Sequence, residues 1–114
     1  MKKIYKLNRF CTVELVNCLK SEQNNRSDII LGTCYTEDHH TTIRLKYNVA
    51  QAMWSVFNHE MSHFTEQQLE QGAWSETVAN RVQKVYDTAK KKLPFMKELF
   101  GDEQKKCIRR RMDS

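Results

Sequence analysis

Two imidazoles stand four residues apart with a carboxylate between them in Asn58-His59-Glu60-Met61-Ser62-His63, a His-Glu-x-x-His pattern. On an α-helix, residues i and i+4 share one face about one turn apart, so both rings can reach one metal ion. Glu60 is turned by about 100° from His59, which sets it beside such an ion rather than on it. A general base for a metal-bound water belongs there.

Four His and nine Glu among 114 residues produce this pattern by chance in roughly one chain in a hundred. Its surroundings must therefore decide. Spaced at about 100° per residue, Val49, Ala52, Met53, Val56 and Phe64 form one apolar stripe, and His59, Glu60 and His63 fall within it. Polar groups turned into a core need partners, because unpaired buried charge is costly. A zinc ion with its water would satisfy all three. The plain alternative is a pair of hydrogen-bonded core histidines beside a glutamate near the helix end.

The elements that must position these groups are readable in outline. Residues 12–19 are β-branched and loosely alternating, which predicts a strand. Ser21 to Asp28 is polar and reads as a turn or loop. Residues 29–35 predict a second strand, in which Gly32 allows a bulge or a close approach. Glu37 to His40 predicts a turn, and Thr41 to Tyr47 a third strand with Ile43, Leu45 and Tyr47 alternating against Arg44 and Lys46. The last two strands read as a hairpin packed on the central helix. That helix takes Asn48 as N-cap with Gln51 completing a capping box, and stops at Gly72, with fraying expected over the polar run Glu66 to Gln71. A second helix, capped by Ser75, runs to about Leu93 before Pro94, with Val78, Val82, Val85, Tyr86 and Ala89 inward. A short helix over 95–100 follows, then a charged tail.

A catalytic zinc takes three protein ligands and leaves one position for water. No His follows His63, so the third ligand must be acidic or come from His39 and His40 in the hairpin. Glu66 and Glu70 continue the same helix, and Asp87 lies far along the next. Glu76, just inside the second helix after a reversal at Gln71-Gly72-Ala73, is better placed. Its ordinary role would be a helix N-terminal glutamate favoured by the macrodipole.

With these residues in order, the chain resembles a minimal zincin metallopeptidase, similar to ImmA/IrrE-type domains and small phage-encoded zincin-like proteins. The resemblance covers about residues 29 to 90 in layout, and His59, Glu60, His63, Glu76, Ala79 and Asn80 at motif level. It implies that His59, His63 and Glu76 are zinc ligands and that Glu60 is the base. Members commonly carry Ala or Gly after the second His, where this chain has Phe64. The implied fold is α+β, a small antiparallel sheet of about three strands packed on the motif helix and the helix after it. One domain over 1–114 is expected, with a basic tail from about residue 101.

Composition limits the alternatives. No apolar run approaches the ~18 residues needed to span a bilayer, and the start lacks the apolar core of a secretion signal. A cytoplasmic protein with no membrane partner is expected. Cys11, Cys18, Cys34 and Cys107 have neither C-x-x-C nor zinc-finger spacing and read as reduced thiols. The net charge of +5 comes largely from Lys90 to Lys92 and from Lys105 to Arg111.

The first expected function is hydrolysis of a peptide or protein substrate, laid along a hairpin edge, with Tyr35, Tyr47 or Tyr86 stabilising the oxyanion. The second is a zincin scaffold with weak or no turnover, a phage or regulatory protein that docks on a host partner. The third is nucleic-acid binding through the basic tail, which no aromatic interleaves. Trp54, Phe57 and Trp74 are candidates for an interface patch.

Overall fold

A computed structural model describes residues 2–19 and 30–100. The described chain forms β1 (Lys2–Asn8), β2 (Cys11–Val16), β3 (Gly32–Glu37), β4 (His40–Lys46), α1 (Ala50–Glu70) and α2 (Ser75–Lys92). A last helix, α3, covers residues 94–100. The loop expected at Ser21 to Asp28, Cys107 and the basic tail lie outside the described residues.

The α+β class is as expected, but the sheet differs in two ways. It has four strands in the order β1-β2-β4-β3, and it is mixed, because β2 runs parallel to β4. The two hairpins, β1–β2 and β3–β4, are each antiparallel. The added strand is β1, whose pattern hides it. Lys3, paired with Leu15, takes the register side of Tyr5 and Leu7, while Ile4 faces out and is 62% exposed. Alternation of apolar and polar residues is therefore broken at the one place where it would have marked a strand.

The β3–β4 hairpin closes through Asp38 (φ 51°) and His39 (φ 63°). Two successive positive φ values make the tight turn whose twist suits a hairpin. The backbone N–H of His39 donates to Gln71 Oε1 at 2.7 Å, so the turn is tied to the end of α1.

α1 starts without the expected capping box. Val49 is the N-cap and receives no side-chain bond, and Asn48 Oδ1 instead accepts from the Val49 N–H at 2.8 Å. At the other end Gly72 turns the chain with φ +91°, a conformation open to glycine at little cost. The polar run before it stays helical through Glu70. Its glutamines hold the hairpin. Gln67 Nε2 donates to the Cys34 carbonyl at 3.2 Å, and Gln71 Nε2 to the Thr36 carbonyl at 3.0 Å. Gln68 is fully buried and donates to the His39 carbonyl and to Thr41 Oγ1, both at 3.0 Å. A run that reads as a fraying end is a clamp.

The core lies between the inner face of the sheet (Cys11, Val13, Leu15, Ile43, Leu45) and Met53, Phe57, Met61 and Phe64 of α1. Val85 and Ala89 of α2 close it with Leu93, Phe95 and Met96. α2 packs with its predicted stripe inward, Val78, Val85 and Ala89 being buried. Its N-cap is Trp74 rather than Ser75. Of the three aromatics expected as an interface patch, Phe57 is core and Trp54 packs on Phe57, Tyr86 and Phe100. Trp74 alone is exposed, at 84%.

Cys11, Cys18 and Cys34 are free thiols. Burial pushes the Cys11 thiol up to about 12, with Cys34 adding to the shift. Burial and the neighbouring Glu60 do the same for Cys34, also to about 12. Both are therefore packed as neutral groups. Among the described residues no helix is long and apolar enough to cross a membrane.

Candidate metal centre

The middle of α1 brings His59, Glu60 and His63 together, with one ligand atom from each lying within 4.8 Å of the others. The two ring nitrogens His59 Nε2 and His63 Nε2 are 3.3 Å apart. Two ligands on one tetrahedral zinc, at Zn–N distances of about 2.0–2.1 Å, would be separated by about 3.3 Å. The helix spacing and the ring rotamers therefore present the pair at the separation that one ion requires. The donor set fits a borderline divalent cation, with imidazole nitrogens outward and a carboxylate beside them.

Burial divides the three groups otherwise than the apolar pattern implied. Glu60 is buried, at 5% exposure, whereas His59 is exposed and His63 half-buried. The buried face of α1 is centred on Phe57, Met61, Phe64 and Gln68. At about 100° per residue, His59 and His63 lie roughly 160° and 120° from Phe57, off the core and toward solvent. The stripe of Val49, Ala52, Met53, Val56 and Phe64 omits the buried Phe57 and Met61, so its axis lies nearer the histidines than the true core face does. Only the glutamate of the motif faces inward.

Gly32 is what lets β3 lie directly over that glutamate. A Cβ on Gly32 would stand 2.5 Å from Val56 Cγ1, 3.2 Å from Glu60 Cγ and 3.3 Å from Glu60 Oε1. The close approach read from this glycine is thus an approach to the motif itself. Burial pushes the Glu60 carboxyl above its ordinary range, while His63 and His59 pull it partly back. Such a group holds a proton more readily than a surface carboxylate does.

The third ligand expected from α2 is not brought to the cluster. Glu76 sits exposed in the first turn of α2. α2 docks on the flank of α1 marked by Asn58, whose Oδ1 accepts from Tyr86 Oη at 2.7 Å. Arg81 likewise donates to Gln68 Oε1 at 2.7 Å. At about 100° per residue, His63 is turned roughly 140° from Asn58, so its flank points away from α2. Asp87, the weaker candidate on α2, is exposed and accepts from Gln83 Nε2 at 3.0 Å.

The hairpin histidines do not serve either. His39 is exposed at the turn. His40 is held by Thr12 Oγ1 at 2.8 Å and by the Arg9 carbonyl at 2.9 Å. Glu66 is a second carboxylate beside the pair, its Oε2 lying 3.8 Å from His63 Nδ1. Of the tyrosines considered for an oxyanion, Tyr86 is bound to Asn58, with burial raising its pKa. Tyr35 pairs with Thr42 on the outer face of the sheet, and Tyr47 packs near Lys3, Met53 and Phe95.

Comparison of the chain with family models, with curated proteins and with solved structures found no match.

Proposed function

We propose that this chain is a zinc-dependent metallopeptidase of the zincin type, in which His59 and His63 bind the ion and Glu60 is the general base. One observation supports it above the others: two imidazole nitrogens spaced for a single ion stand beside a buried carboxylate. A divalent cation there would supply Lewis acidity, polarising a peptide carbonyl and lowering the pKa of water toward ~7. Glu60, its affinity for protons raised by burial, is suited to take the proton of the attacking water and pass it to the leaving amine. β3 is an edge strand, and its Gly32 end lies against Glu60. Main-chain pairing at that end would lay an extended peptide beside the base.

A second reading keeps the scaffold and the ion without turnover, as a regulatory or phage protein that acts by docking on a partner. It is favoured by the ligand count. Among the described residues two imidazoles and Glu60 form the cluster, where a catalytic zinc ordinarily takes three protein ligands besides its water.

The experiment is metal analysis of untagged protein together with Glu60→Gln assayed on a peptide library. About one zinc per chain, lost in His59→Ala and in His63→Ala, is expected from both readings. Hydrolysis abolished by Glu60→Gln with zinc retained supports the peptidase. Function that survives this change leaves the second reading. A chain that takes up no divalent ion excludes both.

A further inference from the structure

We infer that Glu66 is the positioning residue of the metal pair, a carboxylate that holds His63 in the tautomer whose Nε2 carries the free lone pair. The inference rests on the reading of His59 and His63 as ligands. Glu66 follows His63 by three residues, on the same flank of α1, and its Oε2 stands 3.8 Å from His63 Nδ1. The other nitrogen of that ring, Nε2, stands 3.3 Å from His59 Nε2. Glu66 therefore lies behind the ring as seen from the point that the two Nε2 atoms share. A third ligand would have to lie on the other side. An orienting group belongs where Glu66 is.

Proton accounting gives this placement its consequence. A neutral imidazole has one N–H, and an ionised carboxylate can only accept. With Glu66 at Nδ1, the proton of His63 is favoured on Nδ1, and Nε2 is left as the acceptor. The His59–His63 contact then has one direction, with His59 donating from Nε2 to His63 Nε2. At 3.8 Å the carboxylate is beyond direct hydrogen-bond range. Its side chain is 70% exposed, free to close the gap or to reach the ring through a water. Among the described residues Glu66 is the carboxylate paired with His63 Nδ1, and Ser62 Oγ donates to the His59 carbonyl at 2.6 Å. Partners of this kind around a metal-bound histidine commonly change metal affinity about 10–100-fold.

The test uses untagged full-length protein, Glu66→Gln, and Glu70→Gln as a control that removes the same charge one turn further along. Imidazole 15N spectra of the metal-free protein at about pH 8 are expected to show His63 protonated on Nδ1. Glu66→Gln should shift it toward the Nε2–H form, and Glu70→Gln should not. Zinc affinity, measured by competition with a chromophoric chelator, should weaken by about 10-fold or more in Glu66→Gln and stay within about 2-fold of wild type in Glu70→Gln. Equal affinity in wild type and Glu66→Gln, or an equal loss in both variants, overturns the inference. So does wild-type His63 already protonated on Nε2. Should the wild type bind no zinc, the ligand reading fails on its own, and the metal-free spectra still decide whether Glu66 sets the tautomer.

Discussion

Gly32→Ala tests the contact that buries the proposed base. Gly32 does not have a positive φ, so alanine meets no backbone penalty and only space decides the outcome. The new Cβ would fall 2.5 Å from Val56 Cγ1. Val56 is β-branched, and in a helix its χ1 has one strongly preferred rotamer, so the methyl cannot simply swing away. The other contacts, at 3.2 and 3.3 Å to Glu60, involve a longer side chain that can yield. Overpacking of this kind costs about 1–3 kcal/mol, and the stiffer unfolded chain returns about 0.4–1 kcal/mol. The mid-values of these two terms leave a net loss of about 1.3 kcal/mol, a fall in Tm of roughly 5–10 °C. Urea unfolding should show a lower midpoint at unchanged slope. Val56→Ala removes the offending methyl, so the double variant should recover at least about 0.5 kcal/mol relative to additivity. A Gly32→Ala protein as stable as wild type, or a strictly additive pair, would refute the packing of β3 over α1 at this point.

The other predictions concern polar groups. Gln68→Ala removes a fully buried amide and leaves the His39 carbonyl, Thr41 and Arg81 each short of a partner. A loss of about 2–4 kcal/mol in chemical denaturation is expected, and a loss below about 1 kcal/mol would count against the clamp. Glu60 has its pKa raised in the folded protein, so folding favours its protonated form. Its contribution is fully present in acid, below the ordinary carboxylate pKa, and is lost as pH rises through the raised value. Metal-free Glu60→Gln should therefore unfold at a higher temperature than wild type near pH 7, with the gap closing toward about pH 3. Thermal scans across that range check the sign, and a gap independent of pH would reject it.

Periodicity made some of this structure legible and misled about the rest. α2 shows its inward stripe in plain sequence because Val78, Val82, Val85, Tyr86 and Ala89 recur at helical spacing among mostly polar residues. The β3–β4 hairpin is legible through Ile43 and Leu45 alternating with Arg44 and Lys46. β1 is not, since the exposed Lys3 takes the register side of Tyr5 and Leu7 while Ile4 takes the outer one. The parallel pairing of β2 with β4 has no local signature at all, being made between segments separated by the whole of β3. The motif shows that His59, Glu60 and His63 can converge, and helix geometry alone ensures it. Which of them meets solvent depends on the sheet facing the helix, and a stripe without the buried Phe57 and Met61 has its axis turned toward the histidines. Glu76 is favoured in sequence by the chain reversal at Gln71-Gly72-Ala73 and by the resemblance of Glu76, Ala79 and Asn80 to a zincin motif. The docking of α2 through Tyr86 and Asn58 is a tertiary fact that spacing does not encode.

The hold of α1 on β3 also bears on what this sheet can do in a crowded solution. A bare outer strand offers a row of unsatisfied main-chain groups on which a second molecule can template, the first step toward fibrils. On one margin, Gln67 and Gln71 already occupy the Cys34 and Thr36 carbonyls, so the row is closed to a long strand and open only toward its Gly32 end. The opposite margin, β1, carries exposed Lys2, Lys3 and Lys6, whose like charges repel an incoming copy of themselves. The sheet is kept finite by amides on one side and ammonium groups on the other, and replacing the two glutamines would leave only the second defence.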